Sequence, residues 1–268
     1  MDRVLKFGGS SLGEPERMSG AMALVERAAE EGDVAVVVSA MGDTTDWLVD
    51  AIESAAAGHL EAAEGKAERI KALATQVARS LAKRRDLEAH LVDRVTKDVE
   101  GLVEQLKKLL MGVSLLRERT EQTRDLILSF GERISSRVFA RLLSADRLHA
   151  EAVDAREWTI TDDSFGGARV DWEPTRRQIA EHQDEWSGHV TVHTGFIGQT
   201  ADGRTTTLGR NGSDYTATLL ARGLNVDEVV ICTDVAGVMT ADPEIVDEAY
   251  PVPELSYLEA LELANYGA

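Results

Sequence analysis

Cysteine is nearly absent: Cys232 is the only one in 268 residues. An internal disulfide and a cysteine-built zinc site are therefore excluded. With Val229, Val230 and Ile231 before it, Cys232 reads as a small core residue rather than a nucleophile. Aromatic residues are only 5% of the chain, so the core has to be largely aliphatic. No apolar run approaches the roughly 18–20 residues of a membrane span, and the opening Met1-Asp2-Arg3 leads into no long apolar segment. The expected compartment is the cytoplasm. Lysine is scarce, seven against 22 arginines, while Asp and Glu number 47, for a formal net charge of −18. That balance excludes non-specific nucleic-acid binding and docking on anionic lipid, both of which need a basic face. It leaves room for an anionic substrate, because a local basic site can sit within an acidic surface. The same composition suits a salt-rich cytoplasm or an acidic protein with an arginine-biased coding sequence.

The length corresponds to between one and two domains. Residues 4–7 form a short apolar strand that runs into Gly8-Gly9-Ser10-Ser11, and a helix follows over 15–31. Residues 34–38, Val-Ala-Val-Val-Val, are apolar without alternation, as in a strand buried on both faces of a parallel sheet. Residues 45–145 contain no proline and carry apolar residues at helical spacing, Leu102, Leu106, Leu109 and Leu110 among them. We expect three or four helices here, broken near Gly58, Arg85 and Gly112. Strands are expected at 148–153, 190–194 and 229–233, the last buried on both faces. Hairpins are expected within 159–170 and 198–207. A helix over 213–222 should be capped by Gly223, and a last helix should span 256–266. The pattern is α/β, one domain with an inserted helical region.

Four stretches carry chemistry. Lys6-Phe7-Gly8-Gly9-Ser10-Ser11 ends a strand on two glycines and two hydroxyls, where backbone N–H groups can approach an anion with Lys6 as the cation. It is neither the P-loop nor the dinucleotide-binding glycine pattern. In residues 205–216 a second glycine-rich turn opens a helix, with Arg210 and Asp214 four apart. Arg210 can fork onto a carboxylate or phosphate; Asp214 can cap the helix, orient a cation or meet a metal. Two such turns in one sheet point to a nucleotide site at the carboxyl ends of the strands. Residues 233–243, Thr-Asp-Val-Ala-Gly-Val-Met-Thr-Ala-Asp-Pro, follow a strand and read either as a nucleoside-holding loop or as a turn. In Ser129-Phe130-Gly131-Glu132-Arg133 the carboxylate of Glu132 sits in an apolar helix, suited to a ligand ammonium or to a salt bridge with Arg133 or Arg137.

Together these motifs, in this order and spacing over essentially the whole chain, resemble aspartate kinase, a family with the amino-acid kinase fold. Residues 110–118 and 153–156 are similar to the kinase half of bifunctional aspartate kinase–homoserine dehydrogenases. The resemblance implies a three-layer αβα sandwich around a mainly parallel sheet. It implies MgATP-dependent phosphorylation of the L-aspartate side chain to 4-phospho-L-aspartate, on the way to lysine, threonine and methionine. It implies that Lys6, with Gly8, Gly9 and Ser10, neutralises the transferred phosphoryl group, and that Thr45 contacts substrate. Glu132 would pair with the aspartate ammonium, Arg210 would grip its α-carboxylate with Ser213 nearby, and Asp214 would organise the reacting groups. Thr233, Asp234 and Met239 would hold the nucleoside end of ATP, with Mg²⁺ carried on the phosphates and no metal held by the protein. A homodimer is the implied assembly. The sequence departs from the family at Met239, often Tyr, and at Glu244, often basic. Family members continue past the position of Gly267-Ala268 with a lysine that contacts ATP and with ACT-type regulatory domains. We therefore expect a catalytic domain shortened at its C-terminus. The alternatives are a kinase of another carboxylate and a silent fragment that only folds and dimerises.

Overall fold

The computed structural model describes residues 1–268 except 88–89, 147, 234–236, 243–244 and 266–268, and gives only the backbone of 264–265. The elements run β1 (Arg3–Phe7), α1 (Gly9–Gly13), α2 (Pro15–Glu31), β2 (Val34–Val38), α3 (Thr44–Ala56), α4 (Leu60–Arg84), α5 (Leu91–Leu116), α6 (Glu121–Leu128), α7 (Phe130–Ala145) and β3 (Ala150–Val153). There follow β4 (Ile160–Thr161), α8 (Trp172–His182), β5 (Val190–Thr194), β6 (Ile197–Thr200), β7 (Thr205–Thr207), α9 (Gly212–Leu224), β8 (Glu228–Cys232) and α10 (Tyr257–Asn265). The chain divides into two compact units, residues 1–232 and 233–268. No helix among the described residues is long and apolar enough to cross a membrane.

The first unit is built on a five-stranded sheet in the order β3-β5-β2-β1-β8, with every neighbouring pair parallel. Successive strand residues face opposite sides, and both sides are covered. Leu5, Phe7, Val34, Val36 and Val38 enter a large core with α2 to α7. Val4, Ala35 and Val37 enter a smaller one with Ile179 of α8 and Ala217, Leu220 and Leu224 of α9. This two-sided burial is why residues 34–38 show no alternation: all five are buried. Helix, sheet and helix make three layers, as expected.

Among the described residues the helical region contains five helices, α3 to α7, rather than three or four. Alanines 63, 67, 74 and 78 line the buried face of α4, and Val95, Val99, Leu102, Leu106 and Leu110 that of α5. Small residues on one side let the large ones on the other pack closely, which holds the α4–α5 hairpin together. The break expected at Gly112 does not occur. A glycine inside a helix costs only about 1 kcal/mol, and buried Leu110 and Val113 flank it. The helix ends at Arg117, whose φ of 54° is left-handed. Gly223 likewise lies within α9 and Asn225 is the left-handed cap. The glycine is needed for another reason: a Cβ there would lie 2.4 Å from Cδ1 of Ile179.

Two strand expectations also change. Among the described residues β8 is an edge strand, paired with β1 alone, and Ile231 is exposed, so the 229–233 run is not buried on both faces; Cys232 is half-buried. Residues 159–170 form no hairpin; they are closed by a single bridge between Thr161 and Val170. The β6–β7 hairpin is present, and with β4 it makes a separate three-stranded sheet. Buried threonines there satisfy one another, Thr161 Oγ1 lying 2.8 Å from Thr206 Oγ1. In the second unit, Met239 bridges Pro251 in antiparallel fashion, and α10 lies within the expected 256–266.

Candidate active site

The carboxyl ends of β1, β2 and β5 converge, as parallel α/β sheets require of a ligand cleft. Ser39 N–H donates to Phe7 O (3.1 Å) and Gly195 N–H to Val38 O (2.9 Å). A cavity of about 380 Å³ opens there, and it brings together Lys6, Gly9, Thr45, Glu132, Arg210, Ser213 and Asp214. Ser39, Ala40, Gly42, Phe196, Gly209, Asn211 and Gly212 complete its lining.

Lys6 occupies the next-to-last position of β1, on the face away from Phe7. Its Nζ lies 2.8 Å from Asp214 Oδ1, and the lysine side chain is only 12% exposed. Asp214 sits in the first turn of α9, where the helix dipole favours a carboxylate. The pair fixes an ammonium at the sheet's end without neutralising the whole cavity. Gly9 follows, with its carbonyl accepting from Gly42 N–H (2.9 Å). A Cβ at Gly9 would lie 2.5 Å from Ala40 O. We expect Gly9→Ala to push the β2–α3 loop outward and cost about 1–3 kcal/mol; a thermal melt with an unchanged midpoint would refute this close approach.

Glu132 is in the first turn of α7, 4% exposed. Ala40 N–H donates to its Oε1 (3.2 Å), and Ser135 Oγ donates to Ser39 O (2.6 Å), so α7 is strapped to the end of β2. Glu132 has no ion-pair partner among the described residues. Burial pushes its carboxyl up to about 8, against the opposing effect of backbone hydrogen bonds. Arg210 is exposed at the cavity and also has no ion-pair partner among the described residues. The neighbouring Arg133 does not pair with Glu132; its guanidinium stacks over Phe130, 4.4 Å from the ring centroid, and lies 3.7 Å from Asp154. The cavity thus holds a paired cation, Lys6, and two side chains with no ion-pair partner among the described residues, the carboxyl of Glu132 and the guanidinium of Arg210.

Gly8 caps α1, and Ser10 lies within that helix; neither lines the cavity. Thr233 and Met239 belong to the second unit, and Asp234 lies outside the described residues. Phe196 was not singled out in the sequence, and Asn211 and Ala40, though next to motif residues, were given no role there. Their signal was positional, since each follows a strand or opens a helix at the same end of the sheet. Phe196 and Asn211 also hold left-handed φ of 68° and 57°, which no composition pattern reveals. His193 is no part of the site. It is buried in the smaller core between Trp158 and Trp186, and burial lowers its imidazole to about 3. No cluster of three or more His, Cys, Asp or Glu able to hold a metal occurs among the described residues.

A model of the amino acid kinase family matches residues 1–268. Aspartokinase 1, chloroplastic, of Arabidopsis thaliana is 38% identical over 270 residues, which are 99% of this chain and 46% of that protein. The bifunctional aspartokinase/homoserine dehydrogenase 1, chloroplastic, of the same organism is 31% identical over 269 residues, 99% of this chain and 28% of the relative. The crystal structure of E. coli aspartokinase III in complex with aspartate and ADP superposes with a TM-score of 0.83 at 30% identity, covering 99% of this chain and 56% of that one. The chain spans about half the length of aspartokinase 1 and less of the bifunctional relative.

Proposed function

This chain belongs to the amino acid kinase family, and from that membership and its cavity we propose that it transfers the γ-phosphoryl group of ATP to the side-chain carboxylate of L-aspartate, giving 4-phospho-L-aspartate and ADP. The observation that carries the reading is two groups in one cavity without ion-pair partners among the described residues, the buried carboxyl of Glu132, which becomes a carboxylate by giving up its proton at about pH 8 or on meeting an ammonium, and the guanidinium of Arg210. They complement the ammonium and α-carboxylate of a free amino acid. The third charge, Lys6, then faces the side chain and the incoming phosphate. That the relatives named above are aspartokinases, one of them solved with aspartate and ADP, supports the same substrates here.

The chemistry suits these residues. An aspartate side chain is ionised at pH 7, so no general base is needed. A side-chain oxygen attacks the γ-phosphorus, the new O–P bond forms, and the bond to the β,γ-bridging oxygen breaks as ADP leaves. Catalysis is then positioning and charge neutralisation. Lys6 supplies charge to the phosphoryl oxygens, and Asp214 holds Lys6 in place. Arg210 and Glu132 orient the amino acid so that its side chain, not its α-carboxylate, meets the phosphate. Glu132 and Asp214 are the two carboxylates lining the cavity, and the first is suited to the ammonium and the second to Lys6. That donor set fits a Mg²⁺ carried on the phosphates, which would add further neutralisation to them. Thr233, Asp234 and Met239 are proposed for the nucleoside end.

Arg210→Lys is expected to raise the aspartate KM by about ten- to a hundredfold, since a point charge cannot replace a planar fork. Near-normal aspartate saturation would remove Arg210 from the substrate site. The direct test of the reaction is hydroxylamine trapping of the acyl phosphate in the presence of ATP, Mg²⁺ and aspartate. Aspartyl hydroxamate is the expected product. A folded chain that yields none, or that prefers N-acetylated substrates, would overturn the assignment.

A further inference from the structure

Asp125, on α6, is fully buried yet lies outside the cavity lining. Its Oδ2 accepts from Gly166 N–H and Thr207 N–H, each at 2.9 Å, and its Oδ1 accepts from Thr207 Oγ1 at 2.8 Å. Thr207 O in turn accepts from Ala168 N–H (2.8 Å). The end of β7 and the loop at 166–168 are thus fastened to α6 through one carboxylate. A buried carboxylate is a costly way to fill a core; what it supplies is direction, because it accepts from three donors at once.

The two elements that Asp125 joins, β7 and α6, each lead to an ionisable group of the cavity. From Thr207 the chain passes Leu208, whose N–H donates to Phe196 O (2.8 Å), and Gly209, which packs on Gly167. Arg210 follows. In the other direction, Asp125 O accepts from Ser129 N–H (3.0 Å), and Ser129 is at once the last cap of α6 and the first of α7. Glu132 lies in the next turn. The ammonium and carboxylate of an α-amino acid are attached to one carbon, so the groups that receive them must stand at a fixed separation.

We propose that Asp125 is the positioning residue that sets the separation of Glu132 and Arg210, and with it the fit of the α-amino acid head group. The inference rests on the function proposed above. It bears first on the amino-acid half of the cavity, since Arg210 is the first charge reached from the fastened end of β7 and Lys6 is carried by β1.

The test compares wild type, Asp125→Asn, Arg210→Ala and the double variant in the hydroxamate assay, with amide exchange of residues 208–212 followed separately. An amide turns an NH₂ toward donors, so Asp125→Asn should raise the aspartate KM about tenfold and leave the ATP KM within about twofold. In the Arg210→Ala background the further rise should shrink to below about twofold, because the two act through one contact. Equal rises in both KM values, or an undiminished effect without Arg210, would overturn the proposal. If Asp125→Asn does not fold, Thr207→Val should raise the aspartate KM and Thr207→Ser should restore it; a Val variant with normal KM refutes the clamp. Exchange at 208–212 should quicken in the folded variants, and unaltered exchange also refutes it. A wild-type chain that makes no hydroxamate while its variants exchange faster would sink the proposed reaction and leave the clamp standing.

Discussion

Glu132→Gln is expected to raise the aspartate KM by about a hundredfold or more, the cost of leaving a desolvated ammonium without its countercharge. The same substitution should stabilise the free protein at pH 8. The signs follow from the position of the carboxyl, which moves from 4.5 to about 8 on folding. Between those values the folded state holds a proton that the unfolded chain has lost. Stability contributed by this group is complete below pH 4.5 and is lost as pH rises through about 8. Gln carries no such proton and escapes the loss. Binding shows the reverse trend. An ammonium needs the carboxylate, so below pH 8 each bound aspartate must expel a proton. Affinity should then climb by up to about tenfold per pH unit between 6.5 and 8 and level off above. The stabilisation given by aspartate in a thermal melt should accordingly be larger at pH 8.5 than at pH 6.5. A pH-independent aspartate affinity, or a Gln variant that binds aspartate normally, would remove Glu132 from the ammonium site.

Lys6→Ala should act on the other kinetic constant. We expect turnover to fall by about a thousandfold with the aspartate KM changed less than about threefold. Lys6 is already paired with Asp214 in the free cavity, so it adds little to ground-state attraction. Its charge matters most as the phosphoryl group loosens from ADP. Removing it also leaves Asp214 uncompensated beside the incoming phosphate. Steady-state kinetics separate the cases: a selective rise in the aspartate KM with normal turnover would put Lys6 on substrate binding instead. Asp214→Asn should be milder than Lys6→Ala, because it frees the ammonium without deleting it.

The central strands were legible in the sequence because burial on two faces erases alternation, as at 34–38, and because β1 runs straight into Gly8 and β5 into Gly195. Lys6, Gly9, Glu132, Arg210, Ser213 and Asp214, which line the cavity, were legible as motif members, though separated by up to 208 positions between Lys6 and Asp214, and Thr45 came only from the family resemblance. What the sequence hid was tertiary. Gly112 and Gly223 look like helix ends, but Gly112 lies between buried Leu110 and Val113, and Gly223 is there for the close approach of Ile179. The run ending in Cys232 has the composition of a central strand, yet its place at the sheet edge is decided by which strands pair. Asp125 was invisible as well. A lone aspartate in a charged helix carries no local sign that three donors from residues 166 and 207 will converge on it.

The strand order has a consequence for how the protein is made. β1 pairs with β2 on one side and with β8 on the other, Arg3 standing opposite Glu228, so its second edge waits for a partner 225 residues further along the chain. At roughly 5–20 residues per second of synthesis, that edge stays open for about eleven to forty-five seconds on the ribosome, while α3 to α7 can already close over one face. The strand that bears Lys6 is therefore exposed to other nascent chains longest on the side that β8 will finally cover.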